Sequence, residues 1–173
     1  MNINLGCQIH YFDGWINQDI VVGDPNVKVD LNCNANSLPY DNDTVDFIYA
    51  GHLLEHFYPD TVLSAVREWY RVLKPGGTLI IVVPDCGEVF KSYAKREITI
   101  EQVWQQIYGR IYEYDRDSER HHIAFDREQL IDMVGEWYMI EDLNFHNVPV
   151  ELEPFMDTHI SRGIYQLGII LTK

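Results

Sequence analysis

The sequence predicts an α/β domain built on a mostly parallel sheet. Leu79-Ile80-Ile81-Val82-Val83 is apolar throughout and rich in β-branched residues, the composition of a central strand buried on both faces. Between Asp60 and Lys74, apolar residues fall at Val62, Leu63, Val66, Trp69, Tyr70 and Leu73, the period of a helix. Short strand-like runs alternate with such stretches along the chain, as expected where crossover helices join parallel strands.

Ile3 to Leu5 forms the first strand and stops at Gly6; Trp15 to Ile20 forms the second. Val27-Lys28-Val29-Asp30-Leu31 alternates polar with apolar and is expected as the third. Val45 to Ala50 follows the turn-rich Pro39-Tyr40-Asp41-Asn42-Asp43 as the fourth. Pro75-Gly76-Gly77 then ends the first long helix and turns the chain into the fifth strand, Leu79 to Val83. Thr99 with Gln102 has capping-box spacing, and Val103, Trp104, Ile107, Tyr108, Ile111 and Tyr112 follow on one helical face. Trp104 and Tyr108 are expected in the core, and Tyr112 and Tyr114 against a substrate. Asp126 with Gln129 starts another helix, and two late strands are expected near Met139–Phe145 and Tyr165–Leu171. Residues 6–15 are too few for an ordinary parallel crossover of about a dozen residues, so the first helix is expected to be a turn or two at most.

The 173 residues suit one domain. Thirteen Lys+Arg against 27 Asp+Glu give a net charge of −14, and the bases are not gathered into runs. Such a chain repels nucleic acid and anionic membrane surfaces, so neither is expected as a partner. Three widely spaced cysteines, Cys7, Cys33 and Cys86, form neither a disulfide framework nor a thiolate metal site. With no leader pattern and no apolar run long enough to span a bilayer, the expected compartment is the cytoplasm.

In open parallel sheets, ligands bind at the carboxyl ends of the strands near the point where strand order reverses. Gly6-Cys7-Gln8 follows strand one, Asp19 ends strand two, and Asp30 is expected to end strand three. A carboxylate at the end of strand two is placed to accept hydrogen bonds from ribose hydroxyls, so the pattern reads as an adenosine site.

The string from Val45 to Phe57 containing Gly51-His52-Leu53-Leu54-Glu55-His56, followed by Leu73-Lys74-Pro75-Gly76-Gly77-Thr78-Leu79, resembles the class I S-adenosylmethionine-dependent methyltransferases. The likeness is greatest to the short group with an LGCG…GW.N.D start, an LP turn, an LEH helix start and an LKPGG turn, and runs from about Ile3 to Asp85. It implies a Rossmann-like fold with a seven-stranded sheet, helices on both faces and the last strand antiparallel. It also implies S-adenosyl-L-methionine as cofactor and methyl transfer to a small-molecule or saccharide-like acceptor. By the resemblance, Gly6, Cys7 and Gln8 form the loop against the methionine moiety, and Asp19 binds the ribose. Asp30 and the backbone at Leu31 face the adenine, and Gly51 and His52 line the floor near the sulfonium. The region 86–137 is expected as a helical insertion covering the substrate side, since the chain starts in strand one without an upstream helix to do so.

One position departs from the family pattern: Gln8 stands where the family has glycine. A left-handed backbone there costs a residue with a Cβ about 1 kcal/mol, unless the loop is rearranged. This keeps open a repurposed, non-catalytic cofactor-binding fold.

His52 follows strand four, where it accepts a proton from a hydroxyl or amine nucleophile or serves only to position neighbours. Asp85, after strand five, and His121, at the end of the charged stretch Glu113–Arg120, are the other catalytic candidates. His10 and Tyr11 either meet the cofactor's carboxylate or face solvent. His52-Leu53-Leu54-Glu55-His56 also matches the H-x-x-E-H motif of zinc peptidases, in which His52 and His56 would share a helix face with Glu55 beside them. The flanking strand and Pro-Gly-Gly turn favour the methyltransferase reading over this zinc hydrolase, and no metal is assigned.

Overall fold

In the computed structural model, residues 1–21, 24–109, 119–135, 139–142, 152 and 165–173 are described. Seven strands form one sheet: β1 (Asn2–Leu5), β2 (Ile16–Asp19), β3 (Leu31–Asn32), β4 (Val45–Gly51), β5 (Leu73–Pro84), β6 (Met139–Asp142) and β7 (Gln166–Thr172). Their order is β3-β2-β1-β4-β5-β7-β6. The first five pair in parallel, and β7 runs antiparallel between β5 and β6. The expected Rossmann-like sheet and antiparallel last strand are therefore present. Strand order reverses between β1 and β4, which places the ligand-binding crevice at their carboxyl ends.

Period-two alternation divides the core. Ile48, Ala50, Leu79, Ile81 and Val83 face a layer formed with Val62, Val66 and Trp69 of α1 (Val62–Val72) and Leu130 and Val134 of α4 (Arg127–Val134). Tyr49, Ile80 and Val82 face the other way, into a cluster with Phe12, Trp15, Phe47 and Leu152. One change of register would turn each set outward, so the pattern locks β4 against β5.

The first crossover contains no helix: residues 6–15 form turns. Two buried amides do the work of helical hydrogen bonds. Asn17 accepts from the Phe12 N–H (2.8 Å) and donates to the Phe12 and Trp15 carbonyls (2.9 and 3.1 Å). Asn4 donates to the His10 carbonyl at 2.7 Å and to Asn17 Oδ1 at 3.0 Å. This is how a loop too short for a crossover helix still meets the rule that buried backbone polar groups are paired.

The third strand begins later than expected. Asp30 precedes β3 and does not end it, because its carboxylate accepts from the Asn17 N–H at 2.9 Å, while the Asp30 N–H bonds the Asn17 carbonyl. A side chain takes the place of a strand carbonyl there, so regular pairing starts only at Gln18↔Leu31.

α1 ends at Val72, earlier than Lys74, and β5 begins at once, with an irregular register between Val45 and Phe47 of its partner that takes in the Pro-Gly-Gly turn. The capping box of α3 (Ile100–Tyr108) is present: the Thr99 N–H donates to Gln102 Oε1 at 2.8 Å, and the Gln102 N–H donates to Thr99 Oγ1. α4 begins at the expected Asp126 cap, whose Oδ1 accepts from the Gln129 N–H at 2.9 Å. Trp104 and Tyr108 are not core: they are 39% and 53% exposed. Among the residues of α3 only Val103 is buried, and Ile100, Trp104 and Tyr108, four residues apart, share the outer face. Ile111, Tyr112, Tyr114 and Trp137 lie outside the described residues, as does Leu143–Phe145, the end of the expected sixth strand. Among the described residues, no helix is long and apolar enough to cross a membrane.

Candidate functional site

The tips of β1 and β2 are tied to each other by the loop that leaves β1. Gly6 turns the chain at φ +63°, and a Cβ on it would stand 2.8 Å from Leu53 Cδ1. Gly6 is thus where the β1 loop and the segment after β4 come into contact. Gln8 takes φ +40°, so it supplies the left-handed turn that glycine gives elsewhere. Its N–H donates to Asp19 Oδ2 at 2.8 Å, and its side-chain amide lies 3.5 Å from Glu119 Oε2. The Cys7 N–H donates to the Gln18 carbonyl at 3.0 Å. Burial first, and then the charge of Asp19, push the Cys7 thiol up to about 12, so it stays protonated.

Asp19 ends β2 and is 4% exposed. Its two oxygens accept from the Gln8 and Val21 N–H groups at 2.8 and 2.9 Å. A carboxylate has about four lone-pair positions, so these two bonds leave acceptor capacity for a diol while fixing the group's orientation. Asp30 is committed elsewhere: its oxygens accept from Asn17 and, at 2.8 Å, from the Tyr11 hydroxyl. The Lys28 ammonium lies 3.5 Å from the Tyr11 ring centroid. Leu31 opens β3, and the residue level with Asp19 is Asn32, whose amide donates to the Asp19 carbonyl at 2.9 Å.

Gly51 closes β4, and a Cβ there would collide with the Tyr49 hydroxyl. Burial, then the charge of Glu55, pushes the Tyr49 phenol up to about 12. His52 follows at φ +52°, an uncommon conformation for a residue with a Cβ, and its N–H donates to the Val82 carbonyl at 2.8 Å. This overturns the helical premise of the H-x-x-E-H match: His52 precedes a 3-10 turn at Leu54–His56 and shares no α-helical face with His56.

His52 Nδ1 lies 3.2 Å from Glu55 Oε1. A carboxylate only accepts, so it is Nδ1 that donates its proton to Glu55. Glu55 is 1% exposed. Burial raises its pKa, but the His52 hydrogen bond and the neighbouring His52, His56 and His121 outweigh that, holding it below the usual carboxylate range.

His121 comes from far along the chain to this cluster. Its ring meets that of His56 edge to face, with centroids 4.9 Å apart. Burial is the largest influence on it and lowers its pKa, which favours the neutral imidazole. The His122 N–H donates to the Glu55 carbonyl at 2.8 Å, and the His122 ring stacks on Tyr58. The segment 119–125 thus runs from Gln8 past Glu55 to the bridge between Phe125 and Asp85, across the tips of β1, β4 and β5. Asp85 follows β5, and its Oδ1 caps α2 (Cys86–Ala94) by accepting from the Glu88 N–H at 3.1 Å. Of the expected catalytic residues, His52 and His121 gather around Glu55, whereas Asp85 serves as a helix cap.

Residues 4–81 match the methyltransferase domain family model. No curated protein matches the chain. Solved structures share the fold over 99% of its length. An S-adenosylmethionine-dependent methyltransferase from Archaeoglobus fulgidus has 14% identity, a TM-score of 0.58 and 85% of its own chain covered. The PH0226 protein from Pyrococcus horikoshii has 15% identity, a TM-score of 0.62 and 80% covered. The 1,6-didemethyltoxoflavin-N1-methyltransferase of Burkholderia thailandensis, solved with 1,6-didemethyltoxoflavin and S-adenosylhomocysteine bound, has 14% identity, a TM-score of 0.58 and 70% covered. At these identities the solved structures establish the fold alone, and the domain match supports a methyltransferase.

Proposed function

We propose that this chain is an S-adenosylmethionine-dependent methyltransferase that binds its cofactor at the carboxyl ends of β1–β4 and acts on a small-molecule acceptor. The methyltransferase-domain match over residues 4–81, the span that contains those strand tips, carries the reading. When bound, the cofactor supplies an electrophilic methyl on a neutral leaving group. The chain's task is to hold the acceptor in line and strip water from it.

Gly6, Cys7 and Gln8 offer backbone to the methionine moiety, and Asp19 accepts from the ribose hydroxyls. Asp30 is spent on the loop, so the adenine edge falls to the β3 tip, with Leu31 and Asn32. Gly51 and His52 form the floor. His52, oriented by the positioning residue Glu55, takes the proton of a hydroxyl or amine acceptor. The described segment 119–125, with His121, covers the substrate side. A neutral or cationic acceptor suits the net charge of −14. A small molecule is also in keeping with the Burkholderia enzyme and its bound ligand.

Calorimetric titration of the purified chain tests this. S-adenosylmethionine and S-adenosylhomocysteine should both bind, and Asp19→Asn should weaken each by about 1–3 kcal/mol as acceptor capacity is lost. Absence of binding at millimolar cofactor overturns the reading. Gln8→Gly is expected to leave the affinity within about 0.5 kcal/mol, because the backbone at Gln8 is already left-handed. A gain of about tenfold or more (~1.4 kcal/mol) would instead mark a decayed, repurposed site.

A further inference from the structure

We propose that Glu55, His56 and His121 form a binding site for a divalent cation of the Zn²⁺ class. One donor atom from each lies within 4.8 Å of the others. Three further observations give the cluster the character of a ligand set. His56 Nδ1 and His121 Nδ1 each sit 3.0 Å from a backbone carbonyl, of Arg120 and Gln106 respectively. A carbonyl cannot donate, so both rings carry a proton on Nδ1, which leaves Nε2 as the metal-facing nitrogen of the neutral ring, the arrangement that metal-binding histidines keep through such outer partners. Glu55 is 1% exposed, and its Oε2 has no hydrogen-bond partner among the described residues, while Oε1 is engaged by His52. An unpaired carboxylate oxygen is expensive to bury, and an ion would satisfy it. Gly109 lies against the metal-facing edge of His121: a Cβ there would stand 3.2 Å from Nε2.

The donor chemistry selects the ion. Two imidazoles and one carboxylate suit Zn²⁺ at about 2.0–2.2 Å, whereas Mg²⁺ and Ca²⁺ want oxygen ligands throughout. Tetrahedral donors at that metal distance stand roughly 3.3 Å apart, so the three groups would draw together by up to about 1.5 Å on binding the ion. Three protein ligands leave a fourth position for water or for an oxygen, nitrogen or sulfur of an acceptor. The same ion would fasten the 3-10 turn at Leu54–His56 to the segment carrying His121 and, through Glu55, help set the orientation of His52. This set differs from the H-x-x-E-H one in taking His121 in place of His52. It stands independently of methyl transfer.

The test is Zn²⁺ titration of untagged, chelator-stripped, full-length protein by calorimetry, with Co²⁺ absorption as a second readout. One equivalent of Zn²⁺ should bind, and Co²⁺ should give the visible bands of a low-coordinate nitrogen and oxygen site. Loss of an outer partner alone costs about 10–100-fold in metal affinity, so His56→Ala and His121→Ala should each cost at least the upper end of that range. Both variants are read alongside near-ultraviolet circular dichroism to confirm folding; His56 is partly exposed and tolerates truncation if His121→Ala does not. Absence of Zn²⁺ binding at micromolar concentration overturns the proposal. So does binding that survives in a folded His56→Ala variant with unchanged affinity and Co²⁺ spectrum.

Discussion

His52→Ala is expected to lower kcat by about 10²–10⁴-fold, the range for losing a positioned general base, with a much smaller change in KM. The residue sits where β4 delivers it, directly after Gly51, held by the bond from its N–H to the Val82 carbonyl and by Glu55 at Nδ1. A φ of +52° on a β-carbon residue costs of order 1–3 kcal/mol and persists only where its surroundings over-determine it. Strain at the tip of a central strand, beside the point where strand order reverses, is in keeping with the proposed role of His52. A structural role alone would not alter the pH profile. Removal of the imidazole should flatten the dependence of kcat on pH that proton acceptance imposes. Glu55→Gln should lower kcat less, since Nδ1 keeps an acceptor oxygen. Wild-type turnover by His52→Ala would remove His52 from proton transfer and point to an acceptor that needs no base.

The largest effect on stability is expected from Trp69→Ala, a loss of about 3–5 kcal/mol measured by urea denaturation. Trp69 is fully buried near the C-terminal end of α1, and its indole N–H donates to the Ala35 carbonyl at 2.8 Å. Its ring meets Phe57 edge to face at 6.2 Å. Truncation leaves a cavity between α1 and the sheet and also strands the Ala35 carbonyl, so both penalties fall on one position. Trp69→Phe keeps most of the volume and loses the hydrogen bond, so it should cost distinctly less. Equal losses for the two variants would mean that the hydrogen bond, not the packing, dominates.

Much of this architecture is legible in the residues themselves. β4, β5 and β7 announce themselves by runs whose alternate side chains enter two core layers, and α1, α3 and α4 by apolar period or cap spacing. What escaped depends on side chains that impersonate backbone. Asp30 supplies the acceptor that a strand carbonyl would, which delays β3, and Asn4 and Asn17 hold the first crossover without a helix. No local pattern marks either substitution. The less favoured H-x-x-E-H match around Glu55 loses its premise for a related reason: the spacing of His52 and His56 implies a shared helical face only if the chain between them is α-helical, and the left-handed turn at His52 removes that condition. His121 joined Glu55 through the path of the chain after α3, which no periodicity encodes. Trp104 and Tyr108 were misplaced because an apolar stripe shows that a helix has a face, not what lies against it.

The position of β7 has a consequence for how the molecule is made. β5, which carries the continuous apolar run Leu79–Val83, is flanked by β4 and by β7, and the pair Thr78↔Thr172 joins residues far apart along the chain. Until residues 166–172 leave the ribosome, one side of that strand has no ladder partner, and its open hydrogen-bonding edge can recruit another nascent chain. Such long-range closure makes for slow folding. Yield in cells should therefore respond to chaperone supply and growth temperature more than the thermodynamic stability of the finished sheet would suggest.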